Sequence, residues 1–395
     1  MYAIKLELKL NNRERTLMAQ HAGFSRFVYN YGLALYKQVM DIKGGVTKKI
    51  SAIRKVLTNV TKKKPEFDWM NQLSSRVYQN AFIALKNGLI RFFKGLGKFP
   101  KFKRKRDKDS FTVDSSNGLV TVSAGNKIKI PTLGRFRLKE SLPLTCASQT
   151  FTLSRQADKW YVSFAIYADK LPESQHLVER VGIDLGVKTF ATFSNGTTEC
   201  APASLKTAKA KLAKMQWRNR NKHLGDKSKI IIASNNANKY FKKVAKLHAH
   251  IANIREDFLH KLTTWISKTY KVIRIEELNV SGMMANAKLA DAIGNLGFYE
   301  FRRQLTYKQP MFGTVVELVD RWYPSSKTCS DCGHVQPMKL SDRIFSCQGC
   351  GSVKCRDFNA AINLENAPSD KVRRASSELN DCGQEAADSP GRSSK

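Results

Sequence analysis

Two Cys-x-x-Cys pairs are the clearest candidates for chemistry in this sequence. Cys329 and Cys332 form the first pair, Cys347 and Cys350 form the second, and fourteen residues separate them. Four thiolates on two tight turns supply the tetrahedral sulfur cage that zinc prefers, and a glycine after each pair tolerates the positive φ of such a turn. A closed four-sulfur site has no open position for substrate, so we predict one structural zinc. The alternative, four unligated thiols, is disfavoured because this segment has few other apolar residues.

Acidic residues occur at three places in apolar surroundings, where a charge is costly. Asp184 lies in V-G-I-D-L-G, Glu276 and Glu277 follow V-I-R-I at the end of a predicted strand, and Asp357 precedes F-N-A-A-I-N-L at the predicted start of a helix. Taken singly, they have ordinary explanations as a turn residue, an edge glutamate and a helix cap. Taken together, they are oxygen ligands of the kind that hold Mg²⁺ for phosphodiester hydrolysis. Spacing alone supports the two interpretations equally.

The charge of the chain narrows the choice of partners. Its 395 residues include 68 Lys and Arg against 33 Asp and Glu, so the formal net charge is +35. An excess of this size repels itself unless a polyanion neutralises it, and nucleic acid is the leading candidate. A hydrophobic content of 42% excludes a disordered basic tail protein, and the length predicts two or three domains. With no apolar run of membrane-spanning length and no signal-peptide pattern, we expect a cytosolic protein.

Basic residues are concentrated in two tracks. Among the fifteen residues 94–108, eight are basic and one is acidic, and Phe99, Pro100 and Phe102 lie between them. This stretch is either a solvated linker or a track that contacts phosphates and stacks on bases, and the high net charge favours the second. Residues 206–229 hold nine cations against one acid, which also suits a phosphate backbone. The candidate nucleic-acid-binding residues of the first track are Lys98, Lys101, Lys103, Arg104, Lys105 and Arg106.

The spacing of apolar residues predicts the order of the elements. Residues 2–9 alternate as in a strand, residues 11–94 have the three- and four-residue spacing of helices, and residues 110–170 form short strands separated by turn signals. We expect the first strand to complete a small barrel with the later ones, so that the helical region is an excursion from the barrel. From Val181 the pattern becomes α/β, with a two-strand hairpin, a long helix and the buried strand K-V-I-R-I-E-E-L. Past residue 367 the chain is polar, and we predict a disordered tail.

Taken in order, these motifs resemble one known family. The RuvC-type nuclease core of the TnpB proteins of bacterial and archaeal insertion sequences is similar to the succession G-I-D-L-G, I-E-E-L-N-V, S-S-K-T-C-S-D-C-G-H, R-I-F-S-C-Q-G-C-G and R-D-F-N-A-A-I-N-L. Segments outside the core resemble the family too, among them G-F-S-R-F-V-Y-N-Y and F-P-K-F-K-R-K. The resemblance covers the chain from Tyr2 to about Asn366. TnpB proteins are in turn similar to the type V CRISPR effector nucleases.

The resemblance implies an RNA-guided DNA endonuclease. Such a protein binds a guide RNA encoded with its transposon, reads a short motif beside the target, and cuts both strands of matching DNA at a single RuvC site. Carried over by motif position, Asp184, Glu276 and Asp357 form an acidic triad that holds two catalytic Mg²⁺ ions. Glu276, not Glu277, is the implied ligand, and Arg356 is implied to contact the scissile phosphate. The implied assembly is a monomer with one guide RNA in a prokaryotic cytoplasm.

The resemblance also implies a multidomain α+β architecture. A small β-barrel, the wedge, carries an inserted helical recognition domain, and an RNase H-like α/β nuclease domain carries an inserted zinc ribbon that contacts target nucleic acid. Two alternatives stay open on the sequence: a non-catalytic zinc-ribbon regulator that binds RNA or DNA, and a transposase or its accessory protein. The implied boundaries are 1–10 with 95–176 for the wedge, 11–94 for the helical domain, 177–323 with 354–367 for the nuclease, 324–353 for the ribbon and 368–395 for the disordered tail.

Overall fold

The structure is a computed structural model. It describes residues 2–105, 109–142, 145–166, 176–225, 231–285, 290, 293–294, 296–339 and 342–376. The chain forms two compact units, Met1–Asp169 and Lys170–Lys395, and each is described by itself. Each unit has its own hydrophobic core. In the part of the chain that the structure describes, no helix is long and apolar enough to cross a membrane.

The first unit contains an antiparallel sheet of six strands. The strands of this unit are β1 (Tyr2–Lys9), β2 (Ser110–Asp114), β3 (Val120–Val122), β4 (Gly125–Ile130), β5 (Gly134–Leu142), β6 (Cys146–Ser148), β7 (Thr150–Gln156) and β8 (Lys159–Ile166). The sheet has the order β2-β7-β8-β1-β5-β4, and β3 pairs separately with β6. β1 is central and completes the sheet as predicted, since alternate residues Leu6 and Leu8 are buried in the core. β2 and β4 lie at opposite edges, so the sheet is a half-barrel and the predicted barrel is confirmed in part.

Helices follow β1, in the stretch that the sequence predicts to be helical. They are α1 (Asn12–Gln38), α2 (Val46–Asn59) and α3 (Ser75–Phe93), with short 3-10 helices at Thr61–Lys63 and Pro65–Gln72. Asn11 caps α1, because its side chain accepts a hydrogen bond from the N–H of Glu14 while the Glu14 carboxylate accepts one from the N–H of Asn11. α1 and α3 pack closely at Gly32, where an added Cβ would lie 2.9 Å from the side chains of Phe82 and Leu85.

The second unit is built on a mixed sheet. Its strands are β9 (Val178–Leu185), β10 (Ala191–Phe193), β11 (Thr198–Glu199), β12 (Tyr270–Glu276), β13 (Val315–Val319) and β16 (Val372–Arg374). They lie in the order β11-β10-β9-β12-β13-β16. β12 is parallel to both of its neighbours, and the remaining pairs are antiparallel. The predicted hairpin around Asp184 and the predicted buried strand before Glu276 are both confirmed.

Helices pack around this sheet. They are α4 (Ala203–Arg218), α5 (Asn235–Thr269), α6 (Val280–Ala285), α7 (Phe298–Phe312) and α8 (Arg356–Glu365), and a hairpin of β14 (Ile344–Ser346) and β15 (Val353–Cys355) precedes α8. α5 is the long helix that the sequence predicts, and its Leu259, Leu262 and Ile266 share a core with Ile273 of β12 and Phe301 of α7. Their three- and four-residue spacing places them on one face of the helix.

The prediction of a disordered tail from residue 368 is wrong for its first residues. Ser369–Lys371 form a 3-10 turn, and β16 then pairs antiparallel with β13. The polar composition conceals this strand, because its stability comes from backbone hydrogen bonds to the edge of β13 and from two short apolar side chains, Val372 and Ala375. Residues 377–395 lie outside the described residues.

Candidate functional site

Asp184 and Glu276 are placed together by the register of two parallel strands. β9 pairs with β12 so that Ile183 lies opposite Ile275. The next residue on each strand is acidic, and both of these acids are half-buried at the carboxyl ends of the strands. In aligned parallel strands, residues at the same level point to the same face of the sheet. The two carboxylates therefore share one face, at the carboxyl ends of the two central strands.

Asp357 reaches this face because α8 lies unusually close to β9. Gly182 precedes Asp184 by two residues and so points to the same face. A Cβ at Gly182 would lie 2.1 Å from the carbonyl oxygen of Ala361 and 2.4 Å from the backbone nitrogen of Glu365, both in α8. Only a residue without a side chain allows this approach. Asp357 lies in the first turn of the same helix, as the sequence predicts.

The electrostatics of Asp184 are those of a crowded acidic cluster. Burial and, to a smaller extent, the charges of Asp357 and Glu276 together raise the pKa of Asp184 to about 7. Burial also raises the pKa of Glu276. Arg356 opposes the repulsion: its Nε and Nη2 donate to Asp357 Oδ1 at 3.0 and 2.8 Å, and its charge lowers the pKa of Asp184. The three carboxylates thus repel one another in a site that excludes much of the solvent.

Glu277, which the sequence could not separate from Glu276 by position alone, turns elsewhere. Its carboxylate accepts hydrogen bonds from Nε and Nη2 of Arg373 on β16, and the two residues form an ion pair. Consecutive residues of a strand point to opposite faces, so only one member of the Glu-Glu pair can face Asp184. The charge that acts on Asp184 is that of Glu276.

Arg274 is a residue of the site that the sequence reading missed. It is buried in β12 directly opposite Gly182, and its Nε donates to Glu317 Oε2 of β13 at 2.8 Å. Its Nη1 donates to the carbonyl oxygens of Glu365 and Ala367, at 2.7 and 2.9 Å. Arg274 therefore binds the carboxyl end of α8 to the sheet. The available signal was the arginine itself, since a charge inside the apolar run V-I-R-I requires buried partners.

The four cysteines form the one group of three or more possible metal ligands, within the described ranges, whose ligand atoms all lie within 4.8 Å of one another. The sulfurs of Cys329 and Cys350 are 3.7 Å apart, and those of Cys332 and Cys347 are 3.6 Å apart. Tetrahedral zinc with Zn–S bonds of about 2.3 Å requires sulfur separations of about 3.8 Å, so the cage fits the ion. The three carboxylates are more widely spaced than the sulfurs.

The turns of this cage have the predicted form. Gly333 and Gly351 have φ angles of 77° and 75°, in the left-handed region that favours glycine. The backbone N–H groups of Cys350 and Gly349 point at the sulfur of Cys347 and, together with the thiols of Cys329 and Cys332, lower its pKa to about 6. The thiolate is the form of cysteine that binds a metal. Cys355 is exposed and lies outside the cluster.

Two curated proteins are similar to this chain over most of its length. A curated protein of Escherichia coli (strain K12), named "Putative RNA-guided DNA endonuclease InsQ", is 32% identical to this chain over 382 residues, which is 92% of this chain and 91% of the relative. A "Putative RNA-guided DNA endonuclease" of Streptomyces pristinaespiralis is 33% identical and covers 77% of this chain and 74% of its own length. This chain belongs to the TnpB family.

Family models match three parts of the chain. A model described as "Probable transposase" matches residues 163–287, and the "Cas12f1-like, TNB domain" matches residues 298–364. A third, described as "Helix-turn-helix domain", matches residues 1–41, where this TnpB chain has the strand β1 and the single helix α1. The solved structure titled "Cryo-EM structure of the Cas12f1-sgRNA-target DNA complex" has a similar mixed α/β fold, with a TM-score of 0.52 at 15% identity over 90% of this chain and 83% of that one.

The cysteine cage of this TnpB chain is joined to α8 by two buried asparagines that the sequence reading also missed. Asn359 accepts a hydrogen bond from the N–H of Ser330 at 2.9 Å and donates to the carbonyl oxygen of Thr328 at 2.7 Å. Asn363, one helical turn later, donates to the carbonyl oxygens of Ser325 and Thr328, both at 2.7 Å. The segment that enters the first Cys-x-x-Cys turn therefore rests on the helix that carries Asp357.

Loss of one cysteine of the cage is expected to release the metal. Replacement of Cys332 by Ser removes a thiolate, so we expect zinc affinity to fall by about 100-fold or more and thermal unfolding to begin at a lower temperature. Cys355→Ser is the matched control, because this thiol is close in sequence but outside the cage. Metal content by mass spectrometry distinguishes the two variants. Retention of zinc by Cys332→Ser would contradict the site.

The candidate nucleic-acid-binding residues lie on an ordered segment. Residues 94–105, here called the basic strap, are held to α1 by Asn30, whose side chain accepts from the N–H of Lys103 at 2.8 Å and donates to its carbonyl oxygen at 2.9 Å. Lys103 Nζ lies 4.2 Å from the centre of the Tyr29 ring. Lys98, Lys101, Arg104 and Lys105 are exposed along the strap. Arg106 lies outside the described residues.

Proposed function

We propose that this chain is an RNA-guided DNA endonuclease that hydrolyses phosphodiester bonds at a single RuvC-type site. The observation that carries the proposal is the assembly of three acids from three separate elements, β9, β12 and α8, on one face of the second sheet. The names of the curated relatives that span most of the chain support the same activity. A regulator without catalysis is not favoured, because it has no use for a costly cluster of buried like charges.

The order of the second sheet supports an RNase H-like nuclease domain. β10 and β11 lie on one side of β9, and β12 and β13 continue the sheet on its other side, parallel to β9. This order places β9 and β12, which carry Asp184 and Glu276, side by side at the centre of the sheet. We retain the wedge, helical recognition and zinc-ribbon boundaries as part of this proposal, and we extend the nuclease domain beyond residue 367 to include β16.

We propose that the three acids hold two catalytic Mg²⁺ ions. Carboxylate oxygens are the ligands that Mg²⁺ prefers, and Asp184, Glu276 and Asp357 repel one another in a way that a cation would relieve. When bound, Mg²⁺ supplies positive charge to the phosphate and leaving oxygens and acidifies water. The chain contributes the position of the three acids through Gly182, Arg274 and the β9–β12 register. The remaining role in this proposal is that of Arg356, whose guanidinium contacts the scissile phosphate.

The proposal is tested by expressing the full chain from its own locus, with the flanking DNA that could encode the guide, and purifying the protein. Sequencing of the RNA that co-purifies defines the guide, and a matched DNA duplex flanked by randomised sequence supplies every candidate flanking motif. We expect both strands of a subset of these duplexes to be cut when Mg²⁺ is present and left intact when EDTA is added. Absence of cutting across the whole library would contradict the endonuclease proposal, and RNA binding without cutting would support the regulator.

Lysines of the basic strap are proposed to contact phosphates. Lys98 and Lys101 are exposed, and each removed phosphate contact reduces the slope of log affinity against log salt concentration by about 0.7 to 1. We therefore expect Lys98→Ala and Lys101→Ala each to reduce this slope by about 1 in a titration with guide RNA. Lys261→Ala is the control, since that lysine is exposed but pairs with Asp257. An unchanged slope in both strap variants would place the phosphate contacts elsewhere.

A further inference from the structure

A cleft of about 850 Å³ in the first unit has no role in the cleavage site. It lies between the carboxyl ends of α1 and α3, the start of α2 and the basic strap. Ligand-binding clefts commonly have volumes of about 300 to 1,000 Å³ and mostly apolar walls with a few polar groups. The residues of this cleft that matter here are Lys37, Asp41, Phe92, Phe93 and Phe99.

The walls of the cleft are aromatic and accessible. Phe92 and Phe93, the last two residues of α3, are 36% and 56% exposed. Their ring centres are 5.2 Å apart, and the ring of Phe92 meets that of Phe99 edge to face at 5.1 Å. Exposed apolar surface of this kind marks a binding site, because water solvates it poorly. Exposed faces of phenylalanine rings favour a ligand that is itself flat and apolar.

The charges at the rim identify the rest of the ligand. Lys37 Nζ lies 5.9 Å from the centre of the Phe99 ring and 4.9 Å from that of Phe102, so an ammonium group stands at the aromatic wall. Lys49 is a second lysine of the lining, and two cations against the one acid Asp41 favour an anion in this cleft. A flat base joined to a phosphate meets both requirements, and single-stranded nucleic acids bind by this combination of stacking and cationic contact.

A carboxylate in the same cleft distinguishes ribose from deoxyribose. Asp41 lines the cleft from the turn between α1 and α2, and it is an exposed residue. A carboxylate accepts hydrogen bonds but cannot donate them, so it repels a phosphate and attracts a hydroxyl group. The 2′-hydroxyl of ribose is the donor that DNA lacks.

We propose that this cleft binds one unpaired base of a single-stranded RNA. The base stacks on Phe93, whose ring lies at 70° to that of Phe92, a neighbouring phosphate lies at Lys37, and the 2′-hydroxyl donates to Asp41. The proposal deepens the proposed function, because it rests on RNA as a partner of this chain, but it requires no cleavage. The two proposals can therefore fail separately. If a cleft variant binds RNA and cuts matched DNA as the wild-type chain does, the proposed role of the cleft is wrong and the endonuclease proposal stands.

Binding of short fluorescent oligonucleotides tests the cleft. The probes are an oligouridylate and an oligodeoxyuridylate of equal length, measured by anisotropy with the full chain after bound RNA has been removed. We expect Phe93→Ala to weaken oligouridylate binding by about 5- to 100-fold. Phe93→Tyr keeps the aromatic face, so we expect it to bind oligouridylate as the wild-type chain does. Ile83→Ala is the matched control, because Ile83 is an exposed apolar residue of α3 outside the cleft. Asp41→Ala is expected to abolish the preference for ribose.

Crosslinking locates the base independently of affinity. An oligouridylate that carries 4-thiouridine is irradiated on the wild-type chain, and the crosslinked peptide is identified by mass spectrometry. A crosslink within residues 92–99 supports the proposal. Crosslinks confined to other parts of the chain, equal affinity of the Phe93→Ala and Ile83→Ala variants, or loss of self-association in Phe93→Ala in place of loss of RNA binding would each overturn it.

Discussion

Replacement of Asp184 by Asn is expected to lower the rate of Mg²⁺-dependent DNA cleavage by about 10³-fold or more, with guide RNA binding unchanged. The charges of Glu276 and Asp357 both act on this carboxylate, and an amide oxygen carries no charge with which to hold a metal ion. The measurement is single-turnover cleavage of a matched duplex at saturating protein. Cleavage at the wild-type rate would remove Asp184 from the site.

Glu276 and Glu277 provide the matched pair for this experiment. Glu276→Gln is expected to lose cleavage to a similar extent as Asp184→Asn, because its charge acts on Asp184. Glu277→Gln removes the ion pair with Arg373, which is mostly exposed, and exposed pairs contribute about 0 to 1 kcal/mol. Its cleavage rate should therefore stay within a few-fold of wild type. Equal losses in both variants would mean that β12 is misplaced in register.

Asp184→Asn, which is expected to abolish cleavage, is also expected to increase the stability of the chain. Folding raises the pKa of Asp184 from 3.8 to about 7, so the folded chain resists loss of this proton. The resulting cost is absent below about pH 3.8, grows as the pH rises, and is complete above about pH 7. In Mg²⁺-free buffer at pH 8 we expect Asp184→Asn to be more stable than wild type by roughly 2 to 4 kcal/mol. Melting curves from pH 5 to pH 8 test this, and a stability difference that does not grow with pH would contradict it.

Replacement of Gly182 by Ala is expected to lose both cleavage and stability. The added methyl group would lie 2.1 Å from the Ala361 oxygen and 2.4 Å from the Glu365 nitrogen, and these are backbone atoms that cannot rotate away. α8 must therefore move away from β9, against the hydrogen bonds of Arg274 that hold its carboxyl end. Overpacking of this kind costs about 1 to 3 kcal/mol or more, and a shift of about 1 Å in a catalytic group lowers the rate by about 10²-fold.

The controls for Gly182→Ala separate displacement of the helix from general damage. Gly97→Ala serves as the matched substitution, since no atom lies within 4 Å of an added Cβ there. Its melting temperature and cleavage rate should match those of wild type. Asp184→Asn should lose cleavage while stability rises, whereas Gly182→Ala should lose both. A Gly182→Ala chain that cuts DNA at the wild-type rate would overturn the close packing of α8 on β9.

Local patterns predicted those parts of the site that depend on neighbours in sequence. The two Cys-x-x-Cys turns, the strand before Asp184, the strand before Glu276 and the helix that begins near Asp357 all follow from spacing and composition over a few residues. Fold elements with strong alternation or helical periodicity, such as β1 and α5, were also predictable. The assignment of metal ligands among the acids stays a prediction, as do the domain boundaries.

Long-range contacts explain what local patterns could not predict. Arg274 looked like an interruption of an apolar strand until its partners on β13 and α8 were visible. Asn359 and Asn363 looked like ordinary helix residues, and their hydrogen bonds to Ser325, Thr328 and Ser330 depend on how the cysteine turns fold back. β16 was hidden because an edge strand takes its hydrogen bonds from a neighbour, and three residues are too few for a periodic signal.

Residue types and their separations along the chain are enough to predict the available chemistry: four thiolates at zinc spacing, three acids in apolar settings, and an excess of positive charge for a polyanion. Three-dimensional packing was needed to show that Asp184, Glu276 and Asp357 share one face. It also shows that Glu277 pairs with Arg373 and that the cysteine turns rest on the helix of Asp357. Strand register and helix packing decide such matters, because they depend on backbone groups far apart in sequence whose mutual approach no local pattern encodes.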